Sequence, residues 1–308
     1  MTALKYTHVG GSGSYDQVTN MIAGAWPSCT VNPSCIKSSK SVSGNLAPFN
    51  EEVTMVFRGP MKINNIAVYQ PSSPSAGTWT RTSSWNKGST PSNLVFMNNK
   101  GGGKSGVWDT CHGNSQSYAN GDWTDAASGP NAETYTGTLK GNNEVNIVTG
   151  TSCSSSPCNG FSRGTASHGW SSSKMFVVNF EMPSDGTSNL PAIWILNSQV
   201  TNSAQYGCNC RNMGANGGCG ELDVLETLSG NVNNGITEIY SFKGATGSGN
   251  NNWFPRPTSG AVTYAVVMDV QTDAIVIQKL GSWDFGQGSV TRSTIDGLLN
   301  VQAVVVPF

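Results

Sequence analysis

The chain has few charged residues and no long hydrophobic run. Only 11% of its 308 residues are charged, against roughly 25% in an average globular protein. Its 17 Lys and Arg nearly balance its 18 Asp and Glu, whereas a nucleic-acid-binding surface needs a cationic excess. No apolar stretch approaches the roughly 18 residues of a spanning helix. We therefore expect neither a nucleic-acid partner nor a membrane segment.

The sequence also lacks helical periodicity and internal repeats, so we expect little helix and neither a propeller nor a solenoid. Short runs with apolar residues at alternate positions recur instead, separated by Gly, Pro, Asn and Ser. The predicted strands are Val53–Phe57, Ile63–Tyr69, Leu94–Met97, Val145–Val148, Lys174–Met182, Pro191–Leu196, Glu221–Thr227, Gly235–Phe242, Tyr264–Val270 and Ile275–Leu280. This pattern predicts an all-β fold with two antiparallel sheets in a jelly-roll sandwich.

The connections between these strands are long and rich in Gly, Ser and Asn. The tracts 71–92, 98–131 and 243–252 contain or adjoin tryptophans, so we interpret them as large surface loops around a binding face. All-β sandwiches of roughly 200–250 residues fold as one unit. We therefore predict a single domain over residues 1–308.

Eight cysteines are present, and they lie in Gly/Ser/Asn-rich loops. An even number in such positions is typical of disulfides in a secreted protein. The natural short-range pairs are Cys29 with Cys35 and Cys153 with Cys158, which leaves three possible pairings for the rest. The remaining cysteines are Cys111, Cys208, Cys210 and Cys219. A zinc site around the last three is the alternative, although Cys-x-Cys is a tight spacing for zinc.

The first residues, Met1–Tyr6, lack the apolar core of a signal peptide. The chain is therefore either cytosolic or the mature part of a secreted protein with an added Met. The cysteine pattern favours the second interpretation, so we expect a secreted or cell-wall protein, and we expect it to be a monomer.

Three of the eighteen acidic residues fall within six positions of one apolar strand: Glu221, Asp223 and Glu226, here called the acidic trio. On a regular strand the two glutamates would point to opposite faces. A single β-bulge would bring all three acids to one face and leave Leu222 and either Val224 or Leu225 in the core. We predict such a bulge.

Two glutamates on one face suit glycoside hydrolysis by a retaining mechanism, for which the carboxyl groups lie about 5–5.5 Å apart. One glutamate attacks the anomeric carbon, while the other protonates the leaving oxygen and later deprotonates water. A carboxylic acid between them holds the geometry and raises a neighbour's pKa. The alternatives are a calcium site or a solvated strand, but calcium takes six to eight oxygens from a flexible loop.

The segment Glu221–Glu226 resembles the Glu-x-Asp-x-x-Glu signature of glycoside hydrolase family 16 in its bulged, laminarinase form. The flanking segments are similar as well: Phe176–Pro183 leads into Pro191–Leu196, and Tyr264–Asp269 follows downstream. The resemblance implies a concanavalin-like β-jelly roll. It also implies that Glu221 is the nucleophile, Glu226 the acid/base and Asp223 their assistant.

A closer resemblance covers nearly the whole chain and rests on motifs outside the trio. These motifs are Phe57-Arg58-Gly59-Pro60, Ala67-Val68-Tyr69, the segment Asn93–Gly102, and the segment Gly106–Cys111. They resemble the C-terminal domain of fungal cell-wall proteins of the "target of SBF" type, regarded as wall glycosidases. This resemblance implies a secreted fungal-type protein that acts on β-glucan.

Sugars present apolar C–H faces, so glucan-binding grooves use exposed aromatic side chains. The candidates for substrate binding are Trp194, Trp108, Trp123, Trp170 and Trp253. Alternation along its strand sets Trp194 on the face opposite Ile193 and Ile195, and core or loop packing is the alternative for each tryptophan.

Together these features predict a retaining endo-β-1,3-glucanase acting on cell-wall β-glucan, a polysaccharide partner. We expect no cofactor and no metal. A β-glucan transglycosylase and a non-catalytic glucan-binding or structural wall protein are the alternatives.

Overall fold

The computed structural model describes residues 1–24, 29, 35–186, 189–212 and 217–308. The strands of the first half are β1 Ala3–Thr7, β2 Gly13–Met21, β3 Cys35–Val42, β4 Val53–Arg58, β5 Met61–Pro71, β6 Thr78–Asn86, β7 Val95–Asn98, β8 Trp108–Asp109, β9 Gly113–Asn114, β10 Ser117–Tyr118, β11 Thr138–Leu139 and β12 Glu144–Val148. Those of the second half are β13 Lys174–Glu181, β14 Ala192–Asn197, β15 Glu221–Leu228, β16 Asn231–Ser241, β17 Gly244–Gly247, β18 Phe254–Pro255, β19 Val262–Asp269, β20 Ala274–Leu280, β21 Ser289–Thr291 and β22 Val304–Pro307. The helices are α1 Ser198–Ser203 and α2 Arg292–Leu299.

Two large sheets dominate the described part of the chain. The first sheet has the order β21-β6-β5-β13-β19-β20-β1-β22, with β11 also paired to β5. The second sheet has the order β10-β7-β12-β4-β14-β15-β16-β17, with β18 also paired to β16. The mostly-β prediction is confirmed, and every predicted strand overlaps an observed one.

The first sheet is mixed rather than antiparallel, because β1 pairs with β22 in parallel. This corrects the expectation of two antiparallel sheets. The jelly-roll connectivity and the single domain over residues 1–308 stay predictions.

One hydrophobic cluster contains side chains from both large sheets. It includes Phe176 and Val266 of the first sheet together with Phe57, Ile195 and Leu222 of the second. Because strand side chains alternate between faces, each sheet also has an outer face. Helix α2 packs on the outer face of the first sheet through Ile295 and Leu299.

The tract 71–92 is not the surface loop predicted from its composition. It contains β6, which pairs with β5 and buries Trp79 and Trp85. Serines and threonines occupy most of the positions between the two tryptophans, so the strand is polar in composition although it is part of the sheet. Hydroxyl-rich strands of this kind are easily misread as loops.

The hairpin of β2 and β3 lies over the outer face of the second sheet. Tyr15 of β2 belongs to the same apolar cluster as Val56, Trp194 and Leu196 of that sheet. Its hydroxyl donates a hydrogen bond to Glu51 at 2.7 Å. The hairpin therefore covers part of the face that is turned away from the core.

All eight cysteines form disulfides, which agrees with the expectation of an oxidising compartment. The short-range pair Cys153–Cys158 is confirmed, whereas the pair Cys29–Cys35 is wrong. The other bonds are Cys29–Cys111, Cys35–Cys208 and Cys210–Cys219. Sequence proximity misled the prediction because Cys35, at the start of β3, meets Cys208 across 173 positions of sequence.

The zinc alternative is also excluded, since its three candidate sulfurs are in disulfides. Within the described ranges, no helix combines the length and apolar character needed to cross a membrane.

Candidate active site

A β-bulge in β15 brings the acidic trio to one face of the second sheet. Across β14, Glu226 lies opposite Ala192 and Asp223 opposite Trp194, which leaves the intervening Val224 without a partner. Glu221 lies opposite Leu196. Residues directly opposite each other share a face, and Ala192, Trp194 and Leu196 alternate along β14. The predicted bulge and the shared face of the three acids are therefore confirmed.

The apolar residues of β15 pack into the core behind the trio. Both Val224 and Leu225 are buried there together with Leu222, so the core retains one more residue than predicted. On the neighbouring β16, a Cβ at Gly235 would lie 2.3 Å from Leu225 Cγ. Only glycine leaves room for the side chain of the bulged strand at this point.

The three acids differ in exposure. Glu221 and Asp223 are 6% and 5% exposed, respectively, whereas the side chain of Glu226 is 26% exposed. A buried carboxylate is costly unless it is paired or hydrogen-bonded. The surroundings of each acid therefore determine which charge state it can hold.

Each glutamate of the trio is paired with an arginine from another segment. Arg211 Nη1 donates to Glu221 Oε2 at 2.6 Å, and Arg58 Nη2 donates to Glu226 Oε1 at 3.2 Å. Arg211 follows Cys210, which is joined to Cys219. The disulfide that closes this loop thus lies directly beside the ion pair of Glu221.

Burial raises the pKa values of two members of the trio, Glu221 and Asp223. Burial raises the pKa of Glu221, even though Arg211 opposes the shift, and the charge of Glu226 raises it further. Burial and then the charges of both glutamates raise the pKa of Asp223 well above its usual range. The neutral form of Asp223 is therefore strongly favoured.

Strand β16 adds two more ionisable groups to the same face. Glu238 lies opposite Asp223, and Tyr240 lies opposite Glu221. The Tyr240 hydroxyl donates to Glu238, and burial, followed by this bond, raises the pKa of the tyrosine. The trio is thus flanked by an acid and a phenol as well as by arginines.

The sequence-based interpretation missed Arg58 and Arg211, the partners of the two glutamates. Arg58 could have been found. Val53, Met55 and Phe57 alternate into the core, so the side chain of the next residue, Arg58, must point to the opposite face. No comparable local signal identifies Arg211, since a loop position is set by the disulfide and not by periodicity.

A cavity of about 480 Å³ lies beside β16, the strand next to the trio. Ile236, the cross-strand neighbour of Glu226, and Glu238 form part of its wall, and Trp253 forms another part. A cavity of this size is in the range that ligand sites occupy, roughly 300–1,000 Å³.

Two of the five candidate tryptophans, Trp253 and Trp108, are accessible to a ligand. Trp194 lies on the face of the trio but is only 5% exposed, because it packs with Tyr15 of the β2–β3 hairpin and the Arg58 guanidinium lies 5.6 Å from its ring centroid, so its ring is not open to a sugar. Trp253 is half-buried at the cavity, and Trp108 is 59% exposed.

Two further candidates, Trp123 and Trp170, are also corrected by the structure. Trp123 is fully buried against Trp85 and Phe96. Trp170 is buried and donates its Nε1 hydrogen to Ser83 Oγ at 3.1 Å. Both side chains belong to the core between the sheets, so neither can stack on a sugar.

One group of potential metal ligands comes together among the described residues: Glu52, Cys158 and His168. Cys158 is in a disulfide, and both ring nitrogens of His168 already have partners, Glu52 and the Ser156 carbonyl. This cluster is therefore a hydrogen-bonded structural contact rather than a built metal site.

Two family models match the chain. Residues 77–298 match "Cell wall protein YJL171C/Tos1, C-terminal", and residues 2–71 match the N-terminal model of the same family. The two matched segments are interleaved in the structure, because β4 and β5 of the first segment pair with β14 and β13 of the second.

Several curated fungal proteins are similar to the chain. The "Probable circularly permuted 1,3-beta-glucanase TOS1" of Candida albicans is 39% identical over 241 residues, 72% of this chain and 50% of that protein. The namesake in Saccharomyces cerevisiae is 38% identical over 214 residues, 65% of this chain and 45% of that protein.

A third relative is matched over a larger share of its length. The "Probable circularly permuted 1,3-beta-glucanase PGA52" of Candida albicans is 31% identical over 300 residues, 89% of this chain and 76% of that protein. The chain spans about half the length of the first relatives. No solved structure matches it significantly. The matched models and relatives, which together cover nearly all of the sequence, show that this chain belongs to the Tos1/YJL171C family of cell wall proteins.

Proposed function

We propose that this protein is a retaining endo-β-1,3-glucanase that acts on cell-wall β-glucan. The observation that carries the proposal is the bulge that turns Glu221, Asp223 and Glu226 to one face of the sheet. The relatives named as probable 1,3-beta-glucanases support the linkage and the substrate.

Glu221 is the proposed nucleophile. Its carboxylate attacks the anomeric carbon and forms a glycosyl ester while the bond to the leaving oxygen breaks. Arg211, 2.6 Å from Oε2, opposes the effect of burial and so favours the carboxylate form that this attack requires. The other oxygen of Glu221 is left for the sugar.

Glu226 is the proposed acid/base. It gives its proton to the leaving glycosidic oxygen and then takes a proton from the water that cleaves the ester, which restores both glutamates. Its side chain is the most exposed of the trio, consistent with access to water. Asp223, favoured in its neutral form, lies between them and can donate a hydrogen bond to a neighbouring carboxylate.

We expect the carboxyl groups of Glu221 and Glu226 to lie about 5–6 Å apart, too close to hold a water for inversion. Trp108 and Trp253 are the proposed sugar contacts, and the second sheet is the proposed concave face of a jelly roll.

The function is tested with purified protein on laminarin, with product lengths resolved. We expect Glu221→Gln and Glu226→Gln to lower hydrolysis by several orders of magnitude, because these groups make or break bonds in the transition state. Glu181→Gln, on the first sheet and paired with Lys62, is the matched control and should retain activity.

The stereochemistry is followed by NMR of the anomeric proton during early hydrolysis, and we expect the β-product first. An α-product first would refute retention, and activity of Glu221→Gln within tenfold of wild type would refute the assignment of the nucleophile. Products longer than the substrate would identify transfer to sugar instead of water. Binding without turnover would identify a glucan-binding wall protein.

A further inference from the structure

Tyr206 is an exposed aromatic residue whose orientation is fixed. It is 64% exposed, more than any other large apolar or aromatic side chain of the described residues. Its hydroxyl nevertheless donates to Glu144, 2.6 Å from Oε1, and accepts from Gln205 Nε2 at 3.3 Å. The ring face is therefore open while the polar end is held from two sides.

The anchor of this ring belongs to the same row of side chains as the proposed acid/base. Glu144 lies opposite Arg58, Arg58 opposite Ala192, and Ala192 opposite Glu226. Neighbouring strands are about 4.8 Å apart, so three strand spacings put Glu144 about 14 Å from Glu226. Tyr206 stands at the end of this row that lies away from the Trp253 cavity.

The arginines of the active site connect the two places electrostatically. Burial and the charge of Glu144 raise the pKa of the Tyr206 hydroxyl, whereas Arg211 and Arg58 act in the opposite direction. These are the arginines that bind Glu221 and Glu226. Tyr206 thus lies within the electrostatic reach of the catalytic surroundings.

The cavity beside Tyr206 has a polar lining. It measures about 220 Å³ and includes Asn99, Asn114 and Gln205. This is smaller than most enclosed ligand pockets, as expected where one ring of a longer chain rests on the surface. An aromatic face next to amide groups suits a sugar, which has apolar C–H faces and hydroxyl edges, better than an apolar peptide side chain.

We propose that Tyr206 forms a sugar-binding subsite, in which a glucose ring of the glucan chain stacks on the Tyr206 face and its hydroxyls contact the neighbouring amides. Glu144 is a positioning residue that holds the tyrosine and does not touch the reacting atoms. The proposal rests on the glucanase function and extends its groove across β14, β4 and β12.

Binding is measured by calorimetry with laminari-oligosaccharides of increasing length, in the full chain carrying Glu221→Gln so that no ligand is consumed. We expect Tyr206→Ala to weaken binding of long oligosaccharides roughly tenfold, the size of one aromatic contact. The loss should shrink as the oligosaccharide becomes too short to span the distance of about 14 Å.

Three further variants separate stacking from folding. Tyr206→Phe keeps the ring, and Glu144→Gln keeps an acceptor, so both should lose less affinity than Tyr206→Ala. Val305→Ala, which trims an exposed side chain at the edge of the first sheet, should bind like the parent.

If Tyr206→Ala and its Glu221→Gln parent bind long oligosaccharides equally well while the wild-type chain hydrolyses laminarin, the subsite is overturned and the glucanase function stands. A loss that is the same for every length would also overturn it, because it would indicate general damage to the groove. Failure of the wild-type chain to bind or cleave laminarin would overturn both proposals.

Discussion

Removing the positive charge of Arg211 should destabilise the protein through Glu221. Arg211→Met keeps much of the side-chain stem but removes the partner of the Glu221 carboxylate. The side chain of Glu221 is only 7% exposed, so its charge would be left buried and unpaired. Breaking a buried ion pair on one side costs about 3–5 kcal/mol. We expect a loss of free energy of unfolding near the lower end of this range, because the Arg211 side chain is itself 17% exposed.

The loss should depend on pH, and the sign follows from the pKa of Glu221. Burial already raises this pKa in the folded state, and Arg211 opposes the rise, so its removal must raise the pKa further. When the pKa of an acid is higher in the folded than in the unfolded state, the folded state takes up the proton first, so the free energy of unfolding rises as pH falls through that pKa. The cost of Arg211→Met should therefore be largest near pH 7 and smallest near pH 4.

Urea unfolding at these two pH values, with the disulfides intact, measures the effect. Lys62→Met is the control, since its pair with Glu181 is 3.4 Å long and the lysine is 47% exposed; it should cost less than about 0.5 kcal/mol. The double variant Arg211→Met/Glu221→Gln should recover most of the loss, because no unpaired charge remains. A loss below about 1 kcal/mol at pH 7, or an equal loss at both pH values, would refute the reasoning.

Two other ion pairs give predictions of stability. Asp269 is fully buried and binds Arg292 through both oxygens at 2.8 and 2.9 Å, so Asp269→Asn should lower the free energy of unfolding by about 3 kcal/mol. Asp296 pairs with the same arginine but is 47% exposed, so Asp296→Asn should cost less than about 0.5 kcal/mol. Equal losses for the two variants in urea unfolding would contradict this prediction. Burial lowers the pKa of His168, but hydrogen bonds to Glu52 and the Ser156 carbonyl outweigh it and raise the pKa overall. The stability that this raised pKa contributes is full below about pH 6.5, the unfolded value, and is lost as pH rises through the folded pKa. Glu52→Gln should lower the pKa of His168 in an NMR titration and cost more stability at pH 6 than at pH 9, and an unchanged titration would contradict the assignment.

The face that carries the acidic trio could be predicted because it depends on local alternation. Three acids among Leu and Val cannot be buried in a core without partners, and only a bulge turns Glu221 and Glu226 to the same side. The same reasoning applied to Val53–Phe57 would have found Arg58. Side-chain periodicity along one strand is visible in sequence, so these positions were within reach.

Contacts between distant segments were not within reach of the same reasoning. Trp123 stands among Gly, Asp and Thr, yet it is buried by Trp85, Phe96 and Tyr135. One of these residues, Trp85, lies 38 positions away in the sequence. The composition of the segment around Trp123 therefore does not indicate which residues bury it. The partner of Cys35 was missed for the same reason.

The unpaired Val224 has a consequence for how this strand can change in length. Removing that one residue would join Asp223 directly to Leu225 and give an uninterrupted two-residue alternation. The pairs of Glu226 with Ala192 and of Asp223 with Trp194 would remain in phase across β14. Removing Leu222 instead would reverse the phase between Glu221 and the rest of the trio. The bulge is therefore a position at which one residue can be removed without moving core-facing side chains to the outer face. Chains with one residue fewer at this point could keep the same three acids on the same side of the sheet.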